Sequence, residues 1–225
     1  MKIAVLGTGM VGRALAGRLS GLGHDVTIGT RDPQATMART EPDGMGNPPF
    51  PTWAADHPDV TVASLDEAAA DAELVVNATS GSGALPALEQ AGADHLAGKV
   101  LIDISNPLDF SQGFPPTLFV KDTDSLGEQI QRALPQARVV KTLNTLNADL
   151  MVDPAALGAE SSVFVSGDDA AAKATVTELL ESFGHTDVID LGDISTARGT
   201  EMLLPVWLRL MGALGTGAFN FRIVR

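Results

Sequence analysis

The opening stretch, MKIAVLGTGMVGRALAGRLSGLGHDVTIGTRDP, leaves few folds open. Lys2 to Leu6 is a short aliphatic and β-branched run. The turn Gly7-Thr8-Gly9-Met10-Val11-Gly12 follows at once, and Leu15, Leu19 and Leu22 recur behind it at helical spacing. Asp25-Val26-Thr27-Ile28-Gly29 then reads as a second strand. A lone G-x-G-x-x-G says little, because glycines gather in turns for conformational reasons alone. Set between a strand and a helix, it is the fingerprint of a dinucleotide site. Gly7 permits the tight turn, Gly9 lets backbone approach a pyrophosphate, and Gly12 lets the helix pack closely on the strand. The free N–H groups and positive dipole end of the helix face the phosphates.

The end of the second strand selects between dinucleotides. NAD sites normally carry an acidic residue there, which hydrogen-bonds the adenosine ribose 2′-hydroxyl. This chain has Gly29-Thr30-Arg31. A hydroxyl and a guanidinium suit a 2′-phosphate, since Arg presents a rigid donor fork that matches phosphate oxygens. Asp32 competes for the acidic role, but Asp32-Pro33 has the form of an N-cap followed by proline at the first helical position. The expected cofactor is therefore NADP(H).

Composition narrows the rest. A chain of 225 residues fits one domain of ordinary size, or one with a small appendage. A net charge of −13 argues against nucleic acid, which calls for a basic surface. With no cysteine, disulfides, thiolate nucleophiles and cysteine-bound clusters are excluded, so redox chemistry must come from cofactors. The first strand begins too early for a secretory leader, and the apolar stretch from Met202 to Leu214 is interrupted by Pro205 and Arg209 and is too short to span a bilayer. A cytoplasmic location and no membrane contact are expected.

Strand-like runs recur at Val60 to Val62, Glu73 to Asn77, Lys99 to Ile104, Arg138 to Leu143, Ser162 to Ser166 and Asp187 to Asp190. Helical stretches separate them: Asp66 to Ala70, Ala84 to Gln90, Ser125 to Leu134 and Asp168 to Phe183. This βαβα alternation predicts an α/β, doubly wound, mostly parallel sheet whose aliphatic strands are buried on both faces. The segment from Thr40 to Pro58 holds Pro42, Pro48, Pro49, Pro51 and Pro58 with Gly44 and Gly46, which predicts a surface loop. After Gly192 the character changes to one long apolar helix, Ser195 to Met211, and a closing segment from Ala218 to Val224. Two units follow: residues 1–192 as the dinucleotide-binding domain and 193–225 as a small C-terminal helical addition.

Ligands of such sheets bind outside the carboxyl ends of the strands. The residues there are Thr8, then Thr30 and Arg31, then Asn77, Ala78, Thr79 and Ser80, then Ser105 and Asn106, then Asn144 to Asn147. Gly7, Thr8, Gly9, Met10, Val11, Gly12, Thr30, Arg31, Asn77, Ala78, Thr79 and Asn106 are the expected dinucleotide contacts. The set is nearly all neutral, and no His or Lys is expected at a strand end. His24, His57, His95 and His185 read as solvated, without partners at metal or triad spacing, so no metal site is expected. Asp103 reads as a structural carboxylate holding loop backbone near Asn106, and Asp149 and Asp153 as caps. Ketone reduction needs a proton donor, commonly Tyr, Lys or His, and the chain has no tyrosine. Hydride exchange between a nicotinamide and a flavin-type ring needs only positioning, so no catalytic acid or base is assigned.

The blocks LIDISNPLDF, VVKTLNTLNADLMVDP and DLGDISTARGTEMLLPVWLRLMGALGTGAFNFRIVR, with the opening GTGMVGRALAGRLSGLGHDVTIGTRDP, resemble the NADPH-dependent reductases of the deazaflavin coenzyme F420, actinobacterial members above all. The opening block is shared with other NADP enzymes, including the ferric-reductase domains of a membrane metalloreductase family. The resemblance implies a Rossmann-type fold, a homodimer and reversible hydride transfer between NADP(H) and coenzyme F420. It aligns Thr8, Thr30 and Arg31 with NADP contacts, and puts Ala35 where the family has a further 2′-phosphate lysine. It makes Asn144, Thr145, Leu146 and Asn147 the deazaflavin-facing segment, with Asn144 where an archaeal-type member has histidine. It adds Pro205, Trp207 and Gly212 as a border of the deazaflavin pocket, whereas composition alone makes Leu203, Leu204, Trp207, Leu208 and Leu210 core or interface. Two rivals remain: an NADPH-dependent reductase of flavins or ferric chelates on the same fold, and a non-enzymatic NADP sensor.

Overall fold

A computed structural model describes residues 1–43 and 46–225; Gly44 of the proline-rich segment lies outside the described residues. The chain opens with β1 (Lys2–Leu6), α1 (Met10–Gly21), β2 (Asp25–Thr30), α2 (Pro33–Met37), α3 (Phe50–Asp56) and β3 (Val60–Ser64). It continues through α4 (Leu65–Asp71), β4 (Leu74–Asn77), α5 (Gly81–Ala91), α6 (Ala93–Leu96), β5 (Val100–Asp103), β6 (Leu108–Asp109), β7 (Thr117–Leu118) and α7 (Leu126–Ala133). The last part comprises β8 (Arg138–Thr142), α8 (Ala148–Val152), β9 (Ser162–Ser166), α9 (Ala170–Phe183), β10 (Asp187–Gly192), α10 (Ala197–Met202) and α11 (Leu204–Leu214).

An 8-stranded sheet in the order β10-β9-β8-β5-β4-β1-β2-β3 forms the middle layer. Six strands are mutually parallel, and β8 and β9 pair antiparallel through Lys141 with Ser166 and Thr142 with Val165. β9 and β10 are parallel to each other. The order reverses between β1 and β4, so the crevice at their carboxyl ends is the switch point of the sheet. Apolar layers cover both faces. Ile3, Val5, Ile28, Val76 and Ile102 pack beneath α1 and α9, and Ala4, Leu6, Val75, Leu101 and Val139 pack beneath α4, α5 and α7. This is the doubly wound, Rossmann-like α/β fold expected from the strand alternation, with a C-terminal helical part.

Several local expectations are corrected. The proline-rich segment contains α3, which Pro49 and Pro51 permit at its N-terminus, where no intrahelical N–H is needed. The predicted helix from Ser195 to Met211 is broken into a 3₁₀ turn over Ile194–Thr196, α10, and α11, the last begun by Pro205 in its first turn. Asp32 does cap α2, accepting from the Ala35 N–H at 2.9 Å. Asp153 precedes a 3₁₀ turn without making a side-chain cap, and at α8 the cap comes from Asn147, leaving Asp149 in the first turn.

His185, expected in solvent, is buried at 3% exposure. Its Nε2–H donates to the Met151 carbonyl at 3.0 Å, while Nδ1 has no partner. Burial pushes its pKa below the ordinary 6.5, and the Met151 hydrogen bond only partly opposes this. The folded chain thus keeps the ring neutral while the unfolded chain takes up a proton, so this contribution to stability is present above pH 6.5 and lost as pH falls through it. His185→Gln should therefore flatten the decline of Tm between pH 7.5 and about pH 5.5 in thermal melts; an unchanged slope would refute the assignment. Among the described residues no helix is long and apolar enough to cross a membrane.

Candidate functional site

The β1–α1 turn has the geometry its glycines predict. Gly7 sits at φ +123°, and a Cβ on Gly12 would stand 2.1 Å from the Gly7 carbonyl oxygen, so neither position tolerates a side chain. At Gly9, by contrast, a Cβ would meet nothing within 4 Å: the turn is open on its outer side. Gly9 is the N-cap of α1 and supplies no side-chain cap, and the first intrahelical N–H to find a partner is that of Arg13. The preceding amides of a 12-residue helix are left facing outward, as a pyrophosphate cradle requires.

At the end of β2, Arg31 is exposed, and its side chain makes no hydrogen bond or ion pair among the described residues. Thr30 is buried and its hydroxyl meets that of Thr36 at 2.9 Å. Arg39 ties the β1–α1 turn to α2: its guanidinium donates to Thr8 Oγ1 at 3.2 Å and to Thr36 Oγ1 at 3.3 Å. Arg13 braces the same turn, donating to the Thr8 carbonyl at 2.9 Å and the Pro48 carbonyl at 2.6 Å beneath the segment that leads into α3. Arg39 was not singled out in the sequence. It lies eight positions beyond Arg31, outside any fingerprint spacing, and only the turn of α2 brings it back to Thr8.

The carboxyl ends of β1, β4 and β5 open into a cavity of about 280 Å³. Val11, Ala78, Thr79, Asn106 and Leu146 all line it, so the structure brings together four of the expected dinucleotide contacts and one residue of the expected deazaflavin-facing segment. Ser80 and Gly81 at the start of α5 complete one wall; Ile104, Leu108, Phe110 and Met151 make it apolar opposite. None of the lining residues is ionisable.

Beneath the polar wall lies a buried ionic cluster. Lys141 Nζ stands 2.7 Å from Asp103 Oδ2, 2.9 Å from Glu201 Oε1 and 2.5 Å from the Ser105 carbonyl. Side-chain exposure is 0% for Lys141 and Asp103 and 1% for Glu201. Burial pushes the lysine pKa down, but the two carboxylates outweigh it and hold the value above that of an ordinary lysine. Asp103 also accepts from the Ser105 hydroxyl at 2.7 Å and Asn77 Nδ2 at 2.8 Å, and Asn77 Oδ1 accepts from the Thr79 hydroxyl at 2.7 Å. Glu201 accepts from the Leu126 and Gly127 N–H groups that open α7. The structural role expected for Asp103 thus holds. The expectation that no lysine stands at a strand end does not: Lys141 is the penultimate residue of β8.

The remaining expected residues fall in different places. Asn77 and Asn144 are buried and turned to protein partners; Asn144 Nδ2 donates to Asn106 Oδ1 at 3.0 Å and to the Thr200 carbonyl at 3.1 Å. Thr145 is buried beside Asn144. Asn147 caps α8 by accepting from the Leu150 N–H. Met10 is 43% exposed at the start of α1. Pro205 lines a second cavity, next to α11, whereas Trp207 stacks on Phe219 with ring centroids 5.2 Å apart and Gly212 has open space about it.

An open glycine turn, a guanidinium-rich adenosine end and a neutral cavity at the switch point define a dinucleotide-dependent oxidoreductase of the Rossmann class. Residues 2–107 match the family described as NADP oxidoreductase, coenzyme F420-dependent. Over the full length of both chains, this one is 66% identical, with a TM-score of 0.96, to a crystal structure from Arthrobacter sp. FB24 described as a candidate F420-dependent NADP reductase. The F420-dependent NADP reductase of Methanothermobacter marburgensis is 29% identical over 216 residues, covering 93% of this chain and 92% of that one. The rat metalloreductase STEAP3 is 32% identical over 213 residues, but the match spans only 38% of that protein. The chain belongs to the family of coenzyme F420-dependent NADP oxidoreductases.

Proposed function

We propose that this chain carries out reversible hydride transfer between NADP(H) and coenzyme F420, and that its own part in the reaction is positioning. The observation that carries this reading is the neutral cavity: no Asp, Glu, His, Lys, Tyr or Cys lines it to serve as acid or base at the reacting atoms. The nicotinamide and the deazaflavin supply donor and acceptor of the hydride, and the chain supplies the walls. The α1 turn with Gly9 would hold the pyrophosphate, and Thr8, Arg31 and Arg39 the 2′-phosphate. Thr79, held by Asn77, and Asn106, held by Asn144, offer polar atoms beside apolar Val11, Ala78 and Leu146. Leu108, Phe110 and Met151 exclude water from the same space. On this reading residues 1–192 bind the dinucleotide and 193–225 complete the deazaflavin side.

The test is direct. Mixing the protein with NADPH and F420 should bleach the visible absorbance of the deazaflavin; turnover with FMN but not F420 would favour a flavin reductase, and NADPH binding without either turnover would favour a sensor. A homodimer is part of the proposal, supported by Val206 and Leu214 on α11 and Phe110 and Phe114 on the β6–β7 hairpin, all at least half exposed. Sedimentation at micromolar concentration should give twice the chain mass.

A further inference from the structure

Among the described residues the side chains of three of the chain's 15 Lys and Arg residues, namely Arg31, Lys121 and Arg209, make no hydrogen bond or ion pair. Every other one holds a carboxylate, a backbone carbonyl or, for Arg39, two threonine hydroxyls. Arg31 stands where a 2′-phosphate is expected. The other two come from distant parts of the chain, beyond β7 and on α11, and line a single cavity of about 390 Å³. Its floor is apolar, built from Pro116, Leu118, Met202, Pro205 and Leu208. Two like charges sharing one cavity repel each other, and in a chain of net charge −13 carboxylates are abundant elsewhere. Lys121 and Arg209 are exposed and solvated, and with no carboxylate holding either one, both are available to an anionic ligand.

The cavity adjoins the neutral one. The two are separated by the cross-strand pair of the hairpin, with Leu108 lining the first and Leu118 the second. From the other side, the Thr200 carbonyl of α10, two residues before Met202, accepts from Asn144, which holds Asn106 in the neutral cavity. A ligand with a flat ring in the first cavity could therefore extend past the hairpin into the second.

We infer that Lys121 and Arg209 seat the anionic tail of the second redox substrate, its phosphate and carboxylates, in this second cavity. The inference rests on the F420 reading above, since it is F420 that carries such a tail. It also accounts for how a strongly acidic protein accepts an acidic substrate: the long-range field repels the ligand, and a local cation pair offsets that repulsion at one place. Glu or Asp introduced at either position should act in the same direction as removal of the cation.

The experiment compares binding of F420 with binding of the same deazaflavin lacking phosphate and glutamates, by fluorescence titration of the NADP-loaded protein. Lys121→Ala/Arg209→Ala should raise the F420 Kd about three- to thirtyfold, while the tailless ligand binds as before. Lys2→Ala/Lys99→Ala changes net charge equally, at the amino ends of β1 and β5 and so at the opposite edge of the sheet, and should leave both constants unchanged. Added KCl should narrow the difference in F420 affinity between the unaltered chain and the Lys121/Arg209 variant, because it screens the attraction that only the unaltered chain offers. Equal weakening of both ligands, or of neither, overturns the tail seat while leaving the redox pair intact. Failure of the unaltered chain to bind either ligand removes the F420 reading and the seat with it.

Discussion

Replacing Lys141 with methionine should lower stability by about 3–5 kcal/mol, because it leaves the Asp103 and Glu201 carboxylates buried without a cation. For a chain of this length that corresponds to a fall in Tm of roughly 6–20 °C in calorimetry. Asp103 retains Ser105 and Asn77 as donors and Glu201 retains the α7 amides, so the cluster is weakened rather than emptied. The same hydrogen bonds make the effect reach the cofactor. Asp103 positions Ser105 and Asn77, Asn77 positions Thr79, and Ser105 and Thr79 line the neutral cavity. NADPH should therefore bind more weakly to Lys141→Met at a temperature where the variant is still fully folded. Adding Glu201→Gln should cost less than the two single losses summed, since the second change removes a charge that the first has stranded. A Lys141→Met protein within about 0.5 kcal/mol of the original chain would show that the cluster holds nothing together.

Removing both free and tethered guanidinium groups at the adenosine end should abolish the preference for NADPH over NADH. Arg31→Ala alone should raise the NADPH KM roughly ten- to hundredfold, the loss of one charge-assisted contact of about 1.5–3 kcal/mol. Arg39→Ala should act in the same direction by roughly three- to tenfold, because an exposed guanidinium already bonded to Thr8 and Thr36 exchanges partners rather than gaining one from water. NADH lacks the 2′-phosphate, so its KM should change little in either variant. Equal losses for both dinucleotides would remove these residues from 2′-phosphate recognition and return Arg39 to a purely local role bracing Thr8. Ala35→Arg should strengthen NADPH binding in the Arg39→Ala background.

What the sequence disclosed and what it withheld divide along the range of the interactions. The glycine turn, the Asp32 cap and the aliphatic strands are local patterns, each set by residues a few positions apart, and they emerge as expected. Asp103 was legible as structural because a carboxylate inside an aliphatic strand needs a partner. The partner was equally visible in Val139-Val140-Lys141-Thr142, but only the pairing of β5 with β8 sets Asp103 against Lys141 in register. Glu201 lies sixty positions further on, and no spacing rule reaches it. The reversal at β9 was hidden for a similar reason: a buried aliphatic run does not state its direction. His185 reads as polar and peripheral until α8 is folded over it.

The antiparallel join of β8 and β9 has a consequence for the path of the chain. Because β9 and β10 run back toward the middle of the sheet, Gly192 finishes beside Ser166, which pairs with Lys141. The polypeptide therefore leaves its last strand already abreast of the buried lysine, and one short helical segment is enough to bring Glu201 onto it. Had those strands followed the other six, the chain would have emerged beyond the crevice and needed a long return. A chain that stopped at Gly192 would keep every strand yet leave Lys141 with Asp103 alone and the first turn of α7 without Glu201. Completion of the sheet and completion of the buried ionic cluster are thus separate events along this polypeptide, linked through Glu201.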